Sequence, residues 1–111
     1  MEERSSSIRA YLLRCGIRPH LRGFRALEAA IALALDDVEY LDGMTKRLYP
    51  DVALCVNSTA SAVERNIRVA ILRAADCGAD MPTVLGFPPS VRTGCYTPSE
   101  FIGAAVMNLG G

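Results

Sequence analysis

Tryptophan is missing from the sequence, histidine occurs once, and aromatic residues make up only 6% of 111 positions. A core with so few rings must be filled by Leu, Ile, Val and Ala, a composition that suits packed helices. Also missing is any run near the ~20 uncharged apolar residues that a membrane span requires. Met1-Glu2-Glu3-Arg4 is charged with no apolar segment behind it, which is not the pattern of a secretion signal. The expected location is the cytoplasm, with no membrane partner. The four cysteines, Cys15, Cys55, Cys77 and Cys95, stand 40, 22 and 18 positions apart. There is no Cys-x-x-Cys pair, and His20 is the only histidine, so a structural zinc site with its clustered ligands is excluded. Reduced thiols are expected, three of them in or beside the core. In such a setting the sequon at Asn57-Ser58-Thr59 carries no meaning. One histidine and scattered cysteines supply no nucleophile–base pair. Asp36, Asp37 and Glu39 lie along one segment rather than across a cleft, and no glycine loop is placed to cradle a phosphate. The expectation is a protein that is not an enzyme and that uses neither cofactor nor metal.

Net charge is zero, which by itself speaks against a nucleic-acid partner, but its distribution says more. Residues 1–25 hold six Arg and two Glu (+4), and residues 26–51 hold two basic and six acidic side chains (−4). Residues 52–75 hold three Arg and one Glu (+2), and residues 76–111 hold one Arg and three acids (−2). If the first and third segments meet in space they make a positive face; otherwise each is an ordinary solvated surface.

Apolar residues recur at helical spacing along most of the chain. Ile8, Leu12 and Cys15 predict a helix from about Ser7 to Cys15, with Ser5, Ser6 and Ser7 offering caps and Gly16 ending it. Pro19 and Gly23 punctuate a connection. Phe24, Leu27, Ile31, Leu35 and Val38, widened by Ala30 and Ala34, then predict a second helix from about Phe24 to Leu41. Its acidic end at Asp36, Asp37 and Glu39 has the wrong sign for the helix dipole and is read as solvated, paired with nearby basic side chains. A helical turn around Met44 to Leu48 follows. Pro50 opens a short helix to Val56 with Val52, Ala53 and Val56 inward, and Asn57-Ser58 makes a tight turn. Thr59 caps the next helix, whose buried stripe is Val63, Ile67, Ala70, Ile71 and Ala74, with Gly78 at its end; Ser61-x-x-Glu64 is an alternative capping box. Residues 79–96, with three prolines and two glycines, read as an irregular loop anchored by Val84, Leu85 and Phe87. Thr97-Pro98-Ser99-Glu100 is a capping box for a last helix that turns Phe101, Ile102, Ala105 and Leu109 inward. The expected fold is all-α: six helices in a bundle-like domain.

Helices at 50–56 and 59–76 around a short polar turn have helix-turn-helix proportions. At 100° per residue, Ser61, Arg65, Arg68 and Leu72 point away from the buried stripe, with Glu64 at its shoulder. Such a helix can enter the major groove, where the planar fork of Arg donates two bonds to guanine and Glu accepts from the cytosine amine. Ser58 and Thr59 in the turn can meet a phosphate. For Glu64, a capping or ion-pair role is open as well. His20, with Arg18 and Arg22, is open between a structural role and a backbone contact.

Particular residues then narrow the reading. Thr59-Ala-Ser-Ala-Val-Glu-Arg-Asn-Ile-Arg68, preceded by Leu48-Tyr-Pro-Asp-Val-Ala53, resembles the C-terminal effector domain of the stage 0 sporulation protein A family, response regulators that govern entry into sporulation. The resemblance extends over nearly the whole chain. It takes in Gly16-Ile-x-Pro-His20-Leu-x-Gly23-Phe24, Ala29-Ala-Ile31, Thr45-Lys46-x-Leu48-Tyr49-Pro50, Leu85-Gly86-Phe87 and Ser99-Glu100-Phe101-Ile102. It implies a six-helix domain that binds a short promoter element, often as a tandem dimer on repeated elements, with the helix from Thr59 as recognition helix. By position it implies Glu64 and Arg65 as base readers and Arg68 as a further DNA contact. The sequence departs from the family at Ala62, where Arg is frequent, at Val69, where His is frequent, and at Asn66. It also lacks the family's basic tail and any counterpart of the receiver domain. The charged start is read as that of a stand-alone homologue.

The whole reading is a single domain over residues 1–111, with its helix-turn-helix at about 50–76, that binds promoter DNA to regulate transcription. Glu64, Arg65 and Arg68 touch bases, while Ser58, Thr59, Ser61, His20 and Arg22 touch the backbone. A homodimer on tandem sites is the expected assembly. The alternative is a protein-interaction module that binds DNA weakly and pairs with a full-length relative or with RNA polymerase.

Overall fold

Among the described residues, 2–110, the computed structural model contains six α-helices and no strand: α1 Glu2–Arg14, α2 Arg22–Asp36, α3 Tyr49–Val56, α4 Ala60–Asp76, α5 Met81–Leu85 and α6 Pro98–Gly110. A 3-10 turn at Val38–Asp42 and a wider helical turn at Met44–Leu48 join α2 to α3. Met1 and Gly111 lie outside the described residues. The all-α expectation holds, and α3 and α4 stand on either side of the short turn Asn57–Thr59, where the helix-turn-helix is expected. No described helix is long and apolar enough to cross a membrane.

The core is aliphatic. Ile8, Leu12, Leu27, Ile31, Leu48, Val52, Ile67 and Ile102 are fully inaccessible, and Phe101 is the one ring among the fully buried side chains. Helix α2 runs through the middle and touches α1, α3, α4 and α6. Burying such side chains is the main favourable term in folding, since each fully buried Ile, Leu or Val contributes about 1.5–3 kcal/mol.

Local signals set most boundaries as read. Gly16 is left-handed (φ 86°), and Ile17 N–H donates to the Leu12 carbonyl at 3.0 Å, closing α1. Thr97 and Glu100 exchange side-chain-to-backbone bonds at 2.9 and 3.1 Å, so the capping box of α6 is complete.

Other expectations need correction. Ser5, Ser6 and Ser7 are not caps but lie inside α1, which starts at Glu2. Serine costs only tenths of a kcal/mol in a helix, roughly 0.5 against alanine, and burial of Ile8, Tyr11 and Leu12 outweighs that. Helix α2 ends at Asp36 rather than Leu41 because Asp37 is extended (φ −146°) and its Oδ1 accepts from Glu39 N–H, starting the 3-10 turn. The phase of the stripe breaks there, and Val38 is 61% exposed instead of buried. Inside the loop expected at 79–96, one turn of helix forms at Met81–Leu85, with Pro82 in its first turn and left-handed Gly86 closing it. Only Cys15 is buried; Cys95 is half-buried, and Cys55 and Cys77 are exposed, so three thiols at the core was one too many. Burial pushes the Cys15 thiol up to about 12, so it is not a nucleophile at neutral pH.

Gly23 does not punctuate the connection; it is buried in the first turn of α2. A Cβ there would stand 2.2 Å from the Asn66 carbonyl oxygen and 2.6 Å from the Ala70 Cβ. Only glycine lets the start of α2 press so closely on the middle of α4.

Candidate nucleic-acid interface

The turn between α3 and α4 is held by its own backbone. Asn57 takes the left-handed conformation (φ 55°), which asparagine tolerates better than most residues, and Ser58 N–H donates to the Ala53 carbonyl at 2.9 Å. Thr59 is extended, and its Oγ1 accepts from Ala62 N–H at 3.2 Å. Thr59 is therefore the cap, and the alternative box at Ser61 and Glu64 is not used. With both ends of the turn fixed, the start of α4 and the direction of its side chains are fixed too.

Val63, Ile67, Ala70, Ile71 and Ala74 are all buried against the rest of the fold, as their spacing predicted. Ser61, Arg65, Arg68 and Leu72 are all exposed on the opposite side. Glu64 is partly covered, and its carboxylate meets the Arg68 guanidinium at 3.0 Å one turn on. That pair is exposed on both sides and is worth only a few tenths of a kcal/mol, about 0.3–0.5. Tyr49 lies under it, its phenol pushed above the ordinary tyrosine value by burial and by the Glu64 carboxylate, against the opposing pull of Arg68. Arg65 has no ion-pair partner among the described residues.

The structure gathers some of the expected backbone contacts and separates others. Ser58, Thr59 and Ser61 are exposed around the start of α4. Arg22, on the first turn of α2, lines a cleft of about 270 Å³ together with Ser58 and Asn66. His20 is exposed in the turn before α2 and lines no cleft beside α4. Arg18 is turned elsewhere, its Nη2 lying 2.7 Å from Cys77 Sγ. Arg25, not singled out from the sequence, lines the same cleft as Arg22. Its three-residue spacing from Arg22 puts both on one side of α2, a signal hidden as long as the helix is started at Phe24.

The segment charges resolve in space. Arg4 pairs with Asp36 and Arg9 with Glu28 at 2.8 Å, so two of the six early arginines neutralise carboxylates of α2, while Arg47, from the acidic segment itself, pairs with Asp37 at 3.3 Å. Arg22, Arg25 and Arg65 are left unpaired among the described residues, close to the start of α4.

A two-helix unit that presents a capped second helix, with arginines on its free face and unpaired cations beside its start, has the proportions of a helix-turn-helix. The family model of the sporulation initiation factor Spo0A C terminal matches residues 8–109, nearly the whole chain, and the chain belongs to that family. The family is one of DNA-binding effector domains in sporulation control.

Proposed function

We propose that this protein is a sequence-specific transcription regulator that sets α4 into the major groove of a promoter element. Glu64, Arg65 and Arg68 touch base edges; Ser58, Thr59, Ser61, Arg22 and His20 touch the backbone. The observation that carries the reading is the division of α4: one face is buried without exception, and the other offers Ser61, Arg65 and Arg68 to solvent from a start fixed by Thr59. Residues 1–111 act as one effector domain in the cytoplasm, and two copies bind tandem elements side by side. Replacing Arg65 by Ala removes ~1–3 kcal/mol of discrimination, as loss of one bidentate base contact does. The measurement is fluorescence anisotropy on a duplex recovered by binding-site selection and on its scrambled version. Equal discrimination by wild type and Arg65→Ala overturns the assignment.

A second reading has its own support. Net charge is zero, and Arg68 is already paired with Glu64, so the free positive charge on α4 is small. In that reading the protein acts by pairing with a full-length relative or RNA polymerase and binds DNA weakly. Salt separates the two, because a protein that neutralises several phosphates loses affinity steeply as salt rises. No measurable duplex binding at low salt favours the second reading.

A further inference from the structure

We infer that the cleft between the first turn of α2, the α3–α4 turn and α4 is an anion site that takes one backbone phosphate of duplex DNA, with Arg25 and Arg22 as its cationic ligands. The inference rests on the DNA-binding reading and adds to it a ligand-holding residue, Arg25, and a place.

Three observations converge on the cleft. Its mouth carries Arg22, Arg25, Asn57, Ser58 and Asn66, and it has no carboxylate in its lining. None of these five side chains has a hydrogen-bond or ion-pair partner among the described residues, so two guanidiniums, two amides and a hydroxyl stand with their donors open. The other arginines of the N-terminal third are differently placed: Arg4 and Arg9 are held by carboxylates, Arg18 lies against Cys77, and Arg14 lies over the Tyr11 ring. Space is sufficient, since about 270 Å³ holds several waters at about 30 Å³ each. Two guanidiniums converging on one acceptor suit a phosphate, which takes their forked N–H pairs in charge-assisted bonds.

Position selects a phosphate of the duplex. Asn66 follows Arg65, so it lies about 100° round α4 from the residue that faces the bases. A helix in the major groove is flanked by a phosphate backbone on either side. The cleft opens on one flank of α4, beyond the apolar positions Ala62 and Val69. The close approach at Gly23 carries Arg22 and Arg25 to that flank.

Arg25→Gln tests the inference in the intact protein, because Arg25 is exposed and its loss leaves the fold as it is, which the amide NMR spectrum checks. Expected is an equal loss of affinity, about fivefold to tenfold near 0.1 M salt, for cognate and scrambled duplexes, with the slope of log K against log salt reduced by about one. Arg65→Ala instead lowers cognate affinity more than scrambled affinity, so that discrimination falls. Unchanged affinity and slope in Arg25→Gln, while Arg65→Ala still loses discrimination, overturns the cleft and leaves the recognition helix standing. If wild type binds no duplex, the assignment of a DNA phosphate is overturned. Titration with inorganic phosphate then decides whether the cleft binds anions at all. Shifts at the Asn57, Ser58 and Asn66 amides that vanish in the Arg22→Gln/Arg25→Gln variant keep an anion site, and no shift removes it.

Discussion

Arg4 and Arg9 on α1 reach carboxylates at Asp36 and Glu28 on α2, whereas Arg22 and Arg25 at the start of α2 and Arg65 on α4 reach none among the described residues. The side chains are identical and all exposed; only their surroundings differ. Summing charge along the chain puts +4 on the first 25 residues and makes them look like one positive region. Folding divides that region. Arg4 and Arg9 in its first part lie against Asp36 and Glu28 of α2 and cancel there, and Arg22 and Arg25 in its last part turn the corner to α4 and remain open. The net charge of zero is therefore compatible with a local positive face, because cancellation and exposure happen in different places. For a binding surface, what matters is which cations lack a partner, not how many there are.

The junction that creates this division is the first thing to break. Gly23→Ala places a methyl group 2.2 Å from the Asn66 carbonyl oxygen, a backbone atom fixed within a helix, so α2 and α4 must separate. Overpacking of this kind costs about 1–3 kcal/mol, and the rigid partner puts the expected loss at the upper end, about 3 kcal/mol. Urea denaturation measures it. A loss below about 0.5 kcal/mol, the range of an ordinary surface substitution, means that the helices give way easily and that the close approach does not fix the corner. Arg22 and Arg25 would move with α2, so duplex affinity should fall even where the variant stays folded.

A smaller effect is expected at the one place on α4 where a cation is paired. Glu64→Ala frees Arg68 and removes a negative charge from the face turned to DNA. Affinity for scrambled duplex should rise. If Glu64 accepts a bond from a base, affinity for the cognate duplex should fall at the same time, and the discrimination ratio should drop about tenfold, the worth of one base contact. An equal rise for both duplexes assigns Glu64 to the Arg68 pair and to no base.

How much of this was legible in the sequence follows the reach of each interaction. Thr59, Asn57, Gly16 and the Thr97–Glu100 box act within five residues, and all were readable, because a cap satisfies amides or carbonyls of its own helix end. The buried stripe of α4 was readable for the same reason: its period is a property of one helix. The family resemblance, carried by the Thr59–Arg68 segment, was readable too. Gly23 was misread because its role is a contact with Asn66, 43 positions away, while glycine near a helix start is also a common local stop signal. The short α5 was hidden in a segment whose prolines and glycines punctuate loops and helix ends alike. At the candidate site the exposed face of α4 was legible, and the partners of its cations were not. Nothing in the spacing of Arg4, Arg9, Arg22 and Arg25 tells which of them meets a carboxylate, and Arg25 was missed because a helix started at Phe24 hides the side it shares with Arg22.

The smallest effect is expected from the paired arginines, and it is the sharpest check on the comparison. Arg9→Ala removes an exposed ion pair at 2.8 Å with Glu28. Such pairs contribute about 0.2–1 kcal/mol to stability, because solvent screens them and the side chains lose freedom in forming them. Arg9 carries the same unit charge as Arg25, so if affinity for DNA followed total charge the two substitutions would weaken binding alike. If affinity follows unpaired charge beside α4, Arg9→Ala leaves duplex affinity within about twofold and the salt slope unchanged, since no phosphate contact is lost. Anisotropy titrations of Arg9→Ala and Arg25→Gln at several salt concentrations measure the contrast directly. Parallel losses in both would return the protein to a diffuse electrostatic surface with no special corner. A loss confined to Arg25→Gln would locate the contact at the junction that Gly23 holds together.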